Sequence, residues 1–241
     1  NGVATSYQYD AAGHLVRLRT ERAGQLLASF VYQLDPAGNR TAMRQNLGGT
    51  EQTINYSFDP AYRLTGEVRT DAAGHKVFEQ RFVYDAVGNR IRHIRNGVET
   101  VSSYNKANQL EKSATGGVTR TWQYDSSGNN TGWKDTAGNQ VTMTYDSLNR
   151  MTSWTDGAST ETHTYRGTQW HRASTTTNNK TTRHVYDGDN VIADYQGGKV
   201  IRTYVTPILD QNLSMTNPAT GQTHYYTQDG LGSVRTLTNT E

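Results

Sequence analysis

The 241-residue chain has no cysteine. That excludes disulfides and cysteine-based metal sites, and leaves the redox compartment open. Proline is scarce, at 4 residues, and hydrophobic residues make up only 33%. Mean hydropathy is −0.81. A chain this polar cannot fill a thick sandwich core. With no apolar run approaching about 18 residues, it presents neither a membrane-spanning helix nor a signal-like segment. Helical stripes are missing from every window of about 11 residues or more. One-sided charge is missing too. With 24 basic and 22 acidic residues the net charge is +2, and no basic run marks a nucleic-acid surface. Arg17, Arg19 and Arg22 form a local cluster that reads as a solvated strand face.

What is present is 23 glycines, 15 tyrosines and many Thr, Asn and Ser residues. Tyrosine and threonine favour strands, and this much tyrosine argues against simple disorder. Their arrangement is periodic. A large, mostly aromatic residue precedes Asp or Asn, and a turn residue follows three positions later. The series runs Tyr9-Asp10 with Gly13, Leu34-Asp35 with Gly38, Phe58-Asp59 with Tyr62, Tyr84-Asp85 with Gly88, and Tyr104-Asn105 with Asn108. It continues with Tyr124-Asp125 and Gly128, Tyr145-Asp146 and Asn149, Tyr186-Asp187 and Asn190, and Gln228-Asp229 and Gly232. Steps of 25, 24, 26, 20, 20, 21, 41 and 42 separate positions 10, 35, 59, 85, 105, 125, 146, 187 and 229. The last two are near double steps; Tyr165-Arg166-Gly167 fills the first gap as a degenerate copy, and a further copy is expected near Tyr204.

A unit of this length is two short strands and two turns. Gly and Asn enter the left-handed region at least cost, and an Asp side chain can accept an amide two residues on. Asp-x-x-Gly/Asn therefore predicts a type I turn closed by a left-handed residue. Tyr62 breaks the rule, and Pro60 suits the first central position of a type I turn, so a different turn is predicted there. Second turns fall at Gly48-Gly49, Ala73-Gly74, Asn96-Gly97, Gly116-Gly117, Ala137-Gly138, Asn178-Asn179 and Gly197-Gly198. Period-two alternation, as in Val141-Thr142-Met143-Thr144-Tyr145, makes the chain hairpin after hairpin. Each repeat packs on its neighbours only, and the recurring aromatics Tyr9, Phe58, Tyr84, Tyr104, Tyr124, Tyr145 and Tyr186 are read as a cross-strand ladder.

The stretch Tyr7-Gln8-Tyr9-Asp10-Ala11-Ala12-Gly13-His14-Leu15 resembles the YD repeat of the Rhs family, as do Phe82 to Arg90 and Trp122 to Asn129. The resemblance covers nearly the whole chain. Tyr225 to Arg235 resembles the stretch just before the Rhs-associated core. It implies an all-β fold of tandem YD-repeat hairpins in a curved, spiralling sheet, part of a hollow shell. In bacterial Rhs effectors and the C subunits of insecticidal toxin complexes such a shell encloses a C-terminal toxin; in animal teneurins a related shell serves adhesion. Residues 1–241 are accordingly expected to be a repeat region within a larger protein, since neither Asn1 nor Glu241 begins or ends a capping segment. The implied role is a structural wall, not an enzyme, with no cofactor. Its implied partners are the rest of the polypeptide, including core and toxin domain, and a delivery-system component; its implied location is secreted or on the bacterial surface. Some eighteen to twenty strands spaced about 4.8 Å apart would give a ribbon on the order of 90 Å long. One departure matters. The Asp-Pro self-cleavage motif of the Rhs core is missing, because Asp35-Pro36 and Asp59-Pro60 sit inside repeat turns.

Candidate chemistry competes poorly with this reading. A series of identical turn Asp residues lacks the asymmetry that paired catalytic carboxylates need. Asp187-Gly188-Asp189-Asn190 is the densest acidic site, but calcium requires several converging oxygens. The seven histidines show no ligand spacing, His163 and His171 flank Trp170, and Gly232-Ser233-Val234 lacks the second Gly of a nucleophile elbow. Trp133 and Trp170 fall outside the aromatic slot and are the candidates for stacking on a sugar ring. They support an alternative, a cell-surface adhesin or carbohydrate-binding module that takes a glycan. A polysaccharide-acting enzyme on a repeat scaffold is a third reading, for which no residue stands out.

Overall fold

The computed structural model describes residues 2–207 and 212–239. Two compact units divide the chain: Asn1–Val101 with Thr227–Leu237, and Ser102–Tyr226 with Thr238–Glu241. The first holds β1 (Val3–Tyr9), β2 (Leu15–Arg22), β3 (Gln25–Leu34), β4 (Arg40–Leu47), β5 (Thr50–Phe58), β6 (Leu64–Asp71), β7 (Lys76–Tyr84) and β8 (Arg90–Arg95). Then β9 (Val98–Tyr104) crosses the division. The second holds β10 (Leu110–Thr115), β11 (Val118–Tyr124), β12 (Asn130–Asp135), β13 (Gln140–Tyr145), β14 (Met151–Thr155) and β15 (Thr160–Tyr165). It continues with β16 (Arg172–Thr177), β17 (Lys180–Asp187), β18 (Asn190–Gln196), β19 (Lys199–Val205) and β20 (Ser214–Thr216). The last strands, β21 (Thr223–Gln228) and β22 (Val234–Asn239), contribute to both units. The fold is all-β: 22 antiparallel strands, each paired with its chain neighbour, and no helix among the described residues. The strand count exceeds the eighteen to twenty expected because the sequence gaps at Tyr165 and Tyr204 also hold strands.

Two turn types alternate along the meander. Connections from even to odd strands include two-residue hairpins at Ala23-Gly24, Gly48-Gly49, Asn96-Gly97, Gly116-Gly117, Asn178-Asn179 and Gly197-Gly198, with positive φ at both residues. That is the type I′ signature, whose twist matches the strands. Odd-to-even connections carry the Asp or Asn motif from β1 through β14 and again between β21 and β22, so those turns lie at one end of the strands. At each of Tyr9, Leu34, Phe58, Tyr84, Tyr124, Tyr145, Tyr165 and Tyr186 the register slips by one residue. The residue before the turn thus sits at a β-bulge, which bends the strand and raises its twist.

Two expectations change. Tyr62 has φ 58°, so it takes the left-handed place that Gly takes elsewhere, and the turn at Asp59 is the common one. Its amide donates to the Asp59 carbonyl at 2.9 Å. Conversely, Asp187 and Asn190 pair with each other across a two-residue turn in which Gly188 has φ 57°. The copy expected near Tyr204 is not tested, because the turn after β19 includes residues 208–211, which lie outside the described residues.

Apolar side chains are concentrated in the first unit. Along β3 the alternation buries Ala28, Phe30 and Tyr32, which join Leu18, Met43 and Ile54 in one cluster. This core is more developed than the composition led us to expect, because β2 to β5 are long and carry 6 of the chain's 13 Leu and 2 of its 4 Phe. In the second unit, hydroxyl pairs replace much of the apolar packing: Thr144 with Ser153 at 2.6 Å, Thr164 with Ser174 at 2.7 Å and Thr176 with Thr181 at 2.8 Å.

Candidate functional site

The Asp turns share one geometry. Asp10 Oδ1 accepts the Ala12 and His14 amides, both at 2.9 Å, and the Gly13 amide donates to the Asp10 carbonyl at 3.1 Å. Asp35, Asp59, Asp85, Asp125 and Asp146 repeat this, each taking the amides two and four residues on. Asp229 does the same with Leu231 and Ser233. Asn105 performs it without a charge, accepting from Ala107 and Gln109. The closing residues have φ of 85° at Gly13 and Gly38, 97° at Gly88, 86° at Gly128, 59° at Asn149 and 78° at Gly232.

The residue four after the Asp adds a contact not anticipated from the sequence. Its side chain reaches Oδ2 of the same Asp: His14 at 3.1 Å, Asn39, Asn89 and Asn129 at 2.9 Å, Arg63 at 2.7 Å and Arg150 at 2.8 Å. These donors hold the carboxyls below the usual carboxylate range. The side-chain bond from Asn39, Asn89, Asn129 or Arg150 is the largest influence at Asp35, Asp85, Asp125 and Asp146; at Asp10 and Asp59 it is the amide of His14 or Arg63. Some of these residues also reach the next turn. Arg63 donates to the Asp85 carbonyl at 3.2 Å, Arg150 to the carbonyls of Gly167 and Gln169 at 2.7 and 2.6 Å, and Asn129 to Asn149 Oδ1 at 2.9 Å. Adjacent repeats are therefore stitched turn to turn.

The aromatic slot contributes a second stitch, of a different kind from ring-on-ring stacking. Hydroxyls of Tyr84, Tyr124, Tyr145, Tyr165 and Tyr186 donate to the carbonyls of Leu64, Leu110, Asn130, Met151 and Arg172 at 2.7 to 3.1 Å. Each acceptor is the first residue of the preceding strand. Arg63 and Arg150 lie over the rings of Tyr84 and Tyr165, at 4.9 and 4.5 Å from the centroids. Tyr9 is exposed, Tyr104 is half-buried, and Phe58, which has no hydroxyl, lines an apolar niche with Tyr56 and Met43.

The two tryptophans part company. Trp133 faces Trp122 across β11 and β12 with centroids 6.2 Å apart, and the Arg120 guanidinium lies 3.6 Å over its ring. One face is thus already occupied by a cation, which makes Trp133 part of the packing. Trp170 is 69% exposed in the turn after β15. His163 and His171 are not brought together; His171 pairs with Asp189 at 2.9 Å and tilts against Tyr186. His163 instead begins a polar chain through the second unit. Its Nδ1 lies 3.3 Å from Thr175 Oγ1, which lies 3.1 Å from His184 Nε2. His184 Nδ1 is 2.7 Å from Asp194 Oδ1, and the Tyr204 hydroxyl donates to Asp194 Oδ2 at 2.7 Å. Burial, with Arg172 nearby, holds His163 below the ordinary imidazole range; burial and the Asp194 bond push Tyr204 up to about 12. Thr175, His184 and Asp194 stand in the order of nucleophile, base and orienting acid. Thr175, however, is shared between two imidazoles in a strand paired on both sides, so its neighbouring amides are committed to the ladder rather than to an oxyanion. Among the described residues no three His, Asp or Glu side chains are placed to hold a metal.

A family model for the RHS repeat matches residues 124–162, the stretch from Tyr124 through the Asp125, Asp135 and Asp146 turns. That stretch is an RHS repeat. Among solved structures, the chain is similar to one titled TcdB2-TccC3-TEV (15% identity, TM-score 0.42) and to TcdB2-TccC3 without its hypervariable C-terminal region (14%, 0.41). Each likeness covers 98% of this chain and 17% of the other, so this chain spans about a sixth of the length of those chains. A porin-like protein from Bacteroides uniformis gives 11% identity and a TM-score of 0.27, covering 98% of this chain and 95% of that one. No curated protein matches.

The chain contains further turns of the same design that the aromatic-led motif passed over. Asp71 accepts from Ala73 and His75, and Asp135 from Ala137 and Asn139, closed by Gly74 at φ 85° and Gly138 at φ 91°. Their signal, Asp three before Gly, was present; only the preceding aromatic was missing. Gly132 also went unnoticed. It has φ 140°, and a Cβ there would overlap the Val141 carbonyl. In the first unit, the C-terminal segment packs back on the core. The Gly230 amide donates to the Tyr32 hydroxyl at 2.7 Å, and Arg235 bonds Gln45 Oε1 at 2.8 Å and Asp229 Oδ2 at 3.2 Å.

Proposed function

We propose that these RHS repeats form a wall segment of a shell that encloses a C-terminal toxin or effector domain of the same polypeptide and is delivered outside the producing cell. The observation that carries this reading is the doubled stitch between repeats. Turn-to-turn bonds such as Arg150 to Gly167 and hydroxyl-to-carbonyl bonds such as Tyr124 to Leu110 fix each repeat to the next. A sheet held this way extends repeat by repeat without a thick core. Its hydroxyl-lined strands can face a cargo without a tight apolar interface. The role is containment, and no catalytic group is assigned. The partners are the remaining parts of the same polypeptide and a component of the delivery machinery.

Limited proteolysis of the longer polypeptide tests the reading. The domain downstream of these repeats should survive a protease dose that degrades the same domain expressed alone. Equal digestion of the two would rule out enclosure.

A further inference from the structure

A cavity of about 840 Å³ lies on the second unit, within the size range of small-molecule sites. Strand register sets Thr164, Ser174, Arg183 and Tyr195 side by side across β15, β16, β17 and β18. Arg166 and Tyr186 contribute further wall, and the Gly197-Gly198 turn forms a rim without side chains. No carboxylate lines this cavity. Both guanidiniums are exposed, and neither Arg166 nor Arg183 has a carboxylate partner among the described residues.

We infer that this groove binds a carboxylate-bearing saccharide. Two uncompensated guanidiniums in one groove select an anion, and the planar fork matches a carboxylate. The remaining wall chemistry selects the rest of the ligand. Thr164 and Ser174 present hydroxyls already 2.7 Å apart, able to donate and accept toward a polyol. Tyr195, opposite Arg183 and on its face of the sheet, offers aromatic carbon to the C–H face of a sugar ring. An acidic peptide fits less well. Peptides that bind sheets add to an open edge, whereas β15 to β18 are bonded to strands on both sides. Trp170, the exposed aromatic of the preceding turn, is not among the walls. The inference does not depend on the shell reading.

Isothermal titration of the whole chain provides the test, with trigalacturonic acid, maltotriose and a penta-glutamate peptide as probes. Trigalacturonic acid should bind, with maltotriose and the peptide each weaker by about tenfold or more. Arg183→Gln and, independently, Arg166→Gln should each weaken trigalacturonic acid by about tenfold at unchanged melting temperature, because neither side chain holds the fold together. Arg183→Lys should restore only part of the loss, and Arg17→Gln, on an exposed strand position of the first unit, should change nothing. Absent binding of trigalacturonic acid, equal binding of the peptide, or full binding by both Gln variants would each overturn the assignment.

Discussion

At the level of single residues, backbone conformation decides more than side-chain chemistry. Gly132→Ala should lose about 3 kcal/mol, combining left-handed strain with overlap at the Val141 carbonyl. Gly13→Ala has open space around its Cβ and should lose only about 1–2 kcal/mol from strain at φ 85°. Urea midpoints of the two variants compare these directly, and equal losses would refute the overlap. Tyr62 offers the reverse case. It is 62% exposed with φ 58°, so Tyr62→Asn should raise stability by about 1 kcal/mol. A lower melting temperature would show that the ring contributes packing beyond its exposure.

Between elements, the hydroxyl-to-carbonyl stitch and the Asp turn are the units of stabilisation. Tyr124→Phe keeps the ring and removes the donor to Leu110, which should cost about 1 kcal/mol. If Tyr9→Phe, at an exposed strand position, costs as much, the bond to Leu110 is not the cause. Much of this design was legible in the sequence, because Asp and Gly have one conformational reason each to recur at a fixed spacing. Tyr62 was not legible, since a tyrosine gives no sign that its neighbours will force it left-handed. The side-chain partner at the fifth position varies among His, Asn and Arg, so residue identity hid a shared geometry that only the Asp Oδ2 contacts reveal. The tyrosine hydroxyl's acceptor is a backbone carbonyl, which any sequence supplies and none advertises. Trp133 looked free for a ligand because Arg120, its cover, belongs to the facing strand.

For the whole molecule, the turn carboxylates set the response to acid. Asp10, Asp35, Asp85, Asp125 and Asp146 have depressed values in the folded chain, so the unfolded chain binds more protons as pH falls. The stability they contribute is present above the unfolded value of about 4 and is lost as pH drops through the folded values. His163 is depressed too, by burial first, so its contribution fades earlier, as pH falls from about 6.5. Urea midpoints from pH 8 to pH 3 should show a shallow early decline and a steep one below about 4. His163→Gln should reduce the early phase, leaving the part due to His93, which burial also holds below the ordinary imidazole range, and Asp125→Asn, which copies Asn105, should reduce the late one; a flat profile would contradict both. Gly230→Val would push a side chain into Leu15, Tyr32 and Arg40, whose nearest atoms lie 2.5, 3.0 and 3.1 Å from where its Cβ would stand. Amide exchange in residues 227–237 should then quicken while far-UV dichroism is kept, and unchanged exchange would show that Tyr32 does not hold the segment. That contact also governs time. Tyr32 and Gly230 are 198 residues apart, and a ribosome adding roughly 5–20 residues per second takes about 10–40 s to travel between them. A hairpin needs only about 1–10 μs. Strands β2 to β5 are therefore paired almost as they emerge, yet remain unsealed until Gly230 has been translated.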